Sequence, residues 1–111
     1  MDDSLHTEQY FVRYDYPHPS EENRLWLSTV RIVPQDPQFV LQILHGVDEH
    51  KGRYLPFMEY VARHGGIVVC HDRRGHGESV FREGLGYPGD HPDEYALSDI
   101  DAVYASVYQP I

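Results

Sequence analysis

Two short stretches hold most of the groups in this chain that could move a proton, bind a metal or stabilise an oxyanion. They are His45-Gly46-Val47-Asp48-Glu49-His50-Lys51-Gly52-Arg53-Tyr54 and His71-Asp72-Arg73-Arg74-Gly75-His76-Gly77-Glu78-Ser79. A metal site drawn from His45 and His50, or from His71, Asp72 and His76, fails on spacing. There is no H-E-x-x-H, the histidines fall on different expected elements, and one cysteine rules out a cysteine-rich zinc cage. Gly75-His76-Gly77 lacks the third glycine and the following helix of a dinucleotide loop, so neither metal nor nucleotide cofactor is expected. Gly77-Glu78-Ser79-Val80-Phe81 approaches the G-x-S-x-G elbow of a nucleophilic serine, but Phe81 replaces its last glycine and no helix follows. Ser98 and Ser106 lie in a helical pattern without flanking glycine. Asp99 and Asp101 project about 200° apart on a helix and cannot act as a paired acid and base.

The elements that position these groups follow from apolar periodicity. Tyr10, Val12, Tyr14 and Tyr16 fall at every second position from Glu8 to Tyr16, the period of a half-buried strand that Pro17 and Pro19 stop. Leu25 to Val33 is a second β-prone run, bounded by Pro34 and Pro37, and the pair predicts an antiparallel hairpin. Phe39 to Leu44 and Ile67 to Cys70 are apolar runs of the kind found in strands buried on both faces. Between them Leu55, Met58, Val61 and Ala62 recur at helical spacing from Arg53 to His64, with Pro56 in the first turn and Gly65-Gly66 at the end. Strand, helix, strand predicts a right-handed βαβ crossover. The glycine-rich stretch from Arg73 to His91 reads as a long loop. Pro92 opens a last helix whose stripe is Leu97, Ile100, Val103, Tyr104 and Val107. Both candidate stretches thus sit at the C-terminal ends of parallel strands, where open α/β sheets place their ligands.

Composition narrows the class. A chain of 111 residues that is 41% hydrophobic and 24% charged is an ordinary globular domain or part of one. Residues 1–8 read as a polar tail and 9–111 as a single domain portion. The net charge of -9, with scattered basic residues, argues against nucleic acid or an anionic membrane as partner. The pair Arg73-Arg74 reads as a solvated turn or an internal ion pair. No signal peptide and no apolar run long enough to span a bilayer is found. Cys70, the single cysteine, sits in an apolar run and reads as a buried thiol, which fits a reducing cytoplasm.

The two stretches resemble the monoacylglycerol-lipase and lysophospholipase branch of the α/β-hydrolase superfamily, whose members carry H-G-x-x-E-H-x-x-R-Y after the third strand and D-x-R-G-H-G-x-S after the fourth. Residues Tyr95 to Val103 are similar to the family's following helix, which carries an aspartate, here Asp99. The resemblance spans roughly Gln9 to Tyr108. It implies the N-terminal part of an α/β-hydrolase fold: an antiparallel hairpin leading into a parallel βαβ unit, then a further helix, with an incomplete sheet. It implies that the backbone N–H of Val47 is one donor of an oxyanion hole, with Gly46 letting the chain pass closely and His45 packing within the loop. Arg53, Tyr54, Asp72, Arg74, Gly75, His76, Gly77, Ser79 and Asp99 then take structural roles. The family's serine, acid and histidine all follow the last helix, so no member of the triad is expected here.

These features lead to two expectations about function. The first is a fragment of a serine ester hydrolase acting on a small ester or lipid, with monoacylglycerol or lysophospholipid as the substrate the resemblance implies, and inactive alone. The second is a non-catalytic binding or regulatory module derived from that fold. Because the resemblance puts the third strand in mid-sheet, Phe39 to Leu44 would here form an exposed apolar edge through which the chain self-associates.

Overall fold

A computed structural model describes residues 4–15, 24–46, 50–73 and 92–108, with side chains for 4–12, 27–46, 50–73 and 96–108. Four strands form one mixed sheet: β1 (Leu5–Asp15), β2 (Arg24–Pro34), β3 (Phe39–Leu44) and β4 (Gly66–His71). Their spatial order is β1-β2-β4-β3. The hairpin is longer than its alternation suggested, pairing Leu5 with Pro34 at one end and Asp15 with Arg24 at the other. Residues 5–8, read as part of a polar tail, therefore belong to the sheet. Leu5 packs into the core, and the polar residues beside it occupy a strand that has a neighbour on one side only.

β4 lies between an antiparallel partner, β2, and a parallel one, β3. The β3 to β4 connection is a 3-10 turn (Lys51–Tyr54) continued by α1 (Leu55–Arg63), with Pro56 in the first turn, where its missing N–H costs nothing. Gly65 ends the helix in the left-handed region, φ +96°, which suits a residue without a side chain. Gly66 follows because the Phe39 ring and Val61 occupy the space a Cβ would need. The fold is thus the hairpin plus βαβ unit that the residue pattern implies, followed by α2 (Pro92–Ser106).

The sheet carries a core on each face. Toward α1, Val30, Ile32, Val68 and Cys70 meet Met58 and Ala62; toward α2, Leu27, Ile67 and Val69 meet Val103 and Val107. β4 is buried throughout, as a continuous apolar run requires. β3, whose apolar run by itself reads the same way but which the resemblance leaves as an exposed edge, is half-buried, and Phe39 and Leu44 are 46% and 48% exposed. The reason is its place at the end of the strand order. The stripe of α2 is also rotated from expectation. Val103, Val107, Asp99 and Ser106 face inward, whereas Leu97 and Tyr104 are 67% and 50% exposed.

That rotation follows from polar contacts beneath the helix. Arg31 lies on the same strand face as Leu27, and its Nη1 donates to the carbonyls of Ser106 and Val107 (3.0 and 2.7 Å). Its Nε donates to Glu8 (2.9 Å), and Tyr10 and Ser106 share a hydroxyl hydrogen bond of 2.9 Å. Gln42 of β3 donates to the Ile100 carbonyl (3.1 Å). These bonds tie α2 to three strands at a set rotation. Among the described residues no helix is long and apolar enough to cross a membrane.

Candidate functional site

Parallel pairing brings the C-terminal ends of β3 and β4 together, with Leu44 opposite His71. The next residues on each side, His45 and Asp72, are both buried. The Arg73 N–H donates to His45 Nε2 (2.8 Å), which fixes that nitrogen as an unprotonated acceptor. The proton of the neutral ring must then sit on Nδ1, which donates to the Gly46 carbonyl (2.7 Å). Both ring nitrogens are committed to the backbone. Arg73 also reaches back, its Nη1 lying 3.5 Å from the His45 carbonyl. His45 therefore ties Gly46 to Arg73, and taking up a proton would break its bond to Arg73.

A second tie joins Lys51 to the same end of β4. Asp72 accepts the Lys51 backbone N–H at Oδ1 (2.7 Å) and the Lys51 ammonium at Oδ2 (3.0 Å). The Asp72 N–H donates to the Ser28 carbonyl on β2 (2.8 Å), so the anchor is itself held by the sheet. Lys51 and Asp72 are 7% and 1% exposed. An ammonium and a carboxylate withdrawn this far from water are tolerable only as a bonded pair. Beyond Lys51, the Arg53 N–H donates to the His50 carbonyl (3.2 Å), and Tyr54 packs against the α1-side core. Arg53 itself is exposed.

Burial sets the charge states around this point. Burial, with help from the nearby His45 and Arg73, pulls the His71 imidazole down to about 4, against the opposing pull of Asp72. His71 Nδ1 is buried without a hydrogen-bond partner among the described residues. Such a ring is stable only while neutral. Burial, reinforced by the Asp72 carboxylate, pushes the Cys70 thiol up to about 12, so it is not a thiolate nucleophile at neutral pH. Asp99 on α2 is 2% exposed, and burial pushes its carboxyl up to about 8. Asp101, two residues on, faces solvent.

Of the residues singled out from sequence, the structure brings His45, Gly46 and Asp72 into one cluster, joined through Lys51 and Arg73. Asp99 is buried on the helix that covers one face of the sheet. Val47, Arg74, Gly75, His76, Gly77 and Ser79 lie outside the described residues. Lys51 and Arg31 were not anticipated. Lys51 occupies a variable position of its motif and carries no signal. Arg31 does carry one, because it shares the alternation of Leu27, Thr29 and Val33, and a charge on an inward-facing parity needs buried partners. A groove of about 930 Å³ opens at the other end of the sheet, lined by Leu5, Val33, Pro34, Ile67 and Tyr108 among others. The Arg31 guanidinium in its wall is spent on Glu8 and the end of α2.

The family model described as serine aminopeptidase, S33, matches residues 35–110. No curated protein sequence matches the chain. Among solved structures, a lipase in its open form superposes with a TM-score of 0.77 at 24% identity, over 94% of this chain and 32% of that one. A highly thermostable carboxyl esterase from Bacillus coagulans, solved with glycerol, gives 0.54 at 21% identity, over 90% of this chain and 32% of that one. A cold-adapted esterase from an Arctic intertidal metagenomic library gives 0.56 at 19% identity, over 96% of this chain and 44% of that one. The chain spans less than half the length of each of these structures.

Proposed function

Because the chain belongs to the serine aminopeptidase S33 family of α/β-hydrolases, we propose that it forms the oxyanion side of a serine hydrolase that cleaves carboxylic esters. The observation that carries this reading is the bridging of Gly46 and Arg73 by a buried, neutral His45 at the end of β3. That bridge holds the start of the loop at the end of the sheet where such folds bind substrate. The Val47 N–H, next in the chain, serves as one oxyanion donor, and the second comes from the residue after the nucleophile. Gly46 keeps side-chain atoms away from the developing negative charge.

In the complete enzyme a serine attacks the ester carbonyl while a histidine takes its proton, and the tetrahedral oxyanion is held by the two N–H groups until the alcohol leaves. One such donor is worth roughly 3–4 kcal/mol of barrier. Monoacylglycerol and lysophospholipid are the proposed substrates, on the strength of the paired motifs at residues 45–54 and 71–79. A buried Cys70 thiol fits a reducing, cytoplasmic setting. We propose too that the 111-residue chain alone self-associates through β3, the half-buried strand at the end of the sheet.

Fluorophosphonate labelling tests the catalytic reading. The 111-residue chain should not label. The product of the complete reading frame should label at one serine other than Ser79, Ser98 or Ser106, and should hydrolyse monoacylglycerol or lysophospholipid faster than an aminoacyl anilide. Labelling of the short chain, or an inert full-length product, would sink it, the latter favouring a non-catalytic module.

A further inference from the structure

We propose that Lys51, Asp72 and His45 are positioning residues for ester cleavage, forming a two-point clasp that fixes both ends of the 45–51 segment against the end of β4. This assignment rests on the oxyanion reading above. At one end, His45 receives the Arg73 N–H at 2.8 Å. At the other, Lys51 delivers both its backbone N–H and its ammonium to Asp72, at 2.7 and 3.0 Å. Asp72 and Arg73 are consecutive, so the two anchor points lie about 3.8 Å apart along the chain. Asp72 is tied in turn to Ser28 on β2. The ends of the segment are thereby referred to the central strands of the sheet and not to one another alone.

The chemistry gives this arrangement a purpose. An oxyanion donor works only when it sits about 2.7–3.1 Å from where the charge develops, and a misplacement of about 1 Å costs on the order of 100-fold in rate. Tying both ends of a segment leaves it fewer conformations than tying one. Stability alone is a poor reason for a lysine 7% exposed against an aspartate 1% exposed, since apolar residues of the same volume would serve as well or better. A buried pair instead fixes geometry, because each charge tolerates only the position that bonds the other.

The test uses the full-length gene product with a short-chain p-nitrophenyl ester and a fluorophosphonate. Asp72→Asn keeps an oxygen for the Lys51 N–H but loses the ion pair. It should lower kcat and the labelling rate by on the order of 100-fold, with KM within about threefold and a cooperative melt retained. Lys51→Met should do the same. If the single variants do not fold, Lys51→Met/Asp72→Asn, which leaves no unpaired charge, is measured and should still show kcat at least about tenfold below the parent. A parent-like kcat in any folded variant overturns the clasp and leaves the hydrolase reading standing. A fall in activity that only tracks the loss of folded protein overturns it too. An unsubstituted product inert to both reagents overturns the hydrolase reading, and the positioning role with it.

Discussion

The guanidinium of Arg31 donates a hydrogen bond of 2.7 Å to the carbonyl of Val107, joining the middle of a central strand to the residue just past the end of α2. The last carbonyls of a helix have no partners within it, and here one side chain satisfies two of them, Ser106 and Val107, while holding Glu8 on β1. Arg31→Leu should cost roughly 3 kcal/mol, because both the buried carbonyls and the Glu8 carboxylate lose a donor. Arg31→Lys should recover less than half, since a single ammonium cannot reproduce the fork. Urea titration of the full-length product measures both. A Lys variant equal to the parent would show that charge, not geometry, matters there.

Gly66 opens β4 beneath an aromatic ring. A Cβ at this position would lie 2.5 Å from Phe39 Cε2 and 2.9 Å from Val61 Cγ1. Gly66→Ala should therefore destabilise by about 1–3 kcal/mol, the usual range for overpacking. Phe39 stands at the edge and can swing outward, whereas Val61 is held on α1. Phe39→Ala should then rescue part of the loss in the double variant, read as a non-additive change in the urea midpoint. Strict additivity would mean that the ring is not what resists the methyl group.

The exposed edge predicts how the 111-residue chain behaves by itself. Phe39 is 46% and Leu44 48% exposed on β3, which ends the sheet among the described residues, and the proposed self-association would run along this edge. Sedimentation velocity should show oligomers at micromolar concentration, and Phe39→Lys/Leu44→Lys should shift most of the material to monomer. A monodisperse species of 12.9 kDa from the unsubstituted chain would rule this out.

How legible these features were depended on whether their cause was local. Period-two alternation and the Pro56 and Gly65 punctuation mark β1, β2 and α1, because the residues that define each element lie inside it. The exposure of β3 is not legible in its apolar run, since it depends on which strands flank it; only the strand order that the resemblance implies marks it as an edge. The rotation of α2 was hidden for the same reason: Leu97 and Tyr104 look core-facing until Arg31 and Tyr10, some 75 to 96 positions away, take hold of Ser106. At the site, the paired motifs named His45 and Asp72. Lys51 joins them only because parallel pairing brings residue 72 next to residue 51, a relation with no trace in the spacing of either motif.

Asp99 and His71 should shape the stability of the protein against pH in opposite senses. Burial raises the Asp99 carboxyl from 3.8 to about 8, so between those limits the folded state holds a proton that the unfolded state has released. Its contribution is fully present below about pH 4 and is lost as the pH rises to 8. Burial lowers His71 from 6.5 to about 4, so there the unfolded state holds the extra proton. Its contribution is present above about pH 6.5 and is lost as the pH falls to 4. Between pH 4 and 6.5 the two slopes offset each other, and from 6.5 to 8 only the Asp99 decline remains. Asp99→Asn should therefore remove that decline, raising Tm at pH 8 by at least about 4 °C relative to the parent, an advantage of roughly 1 kcal/mol or more. His71→Leu should unmask the whole Asp99 decline, with stability falling across pH 4–8 and departing from the parent's curve between pH 4 and 6.5, where His71 no longer offsets it. The double variant should show neither slope. Scanning calorimetry at half-unit pH steps gives all four curves, and an Asp99→Asn curve parallel to the parent's between pH 6.5 and 8 would mean that the carboxyl is already ionised in the folded protein.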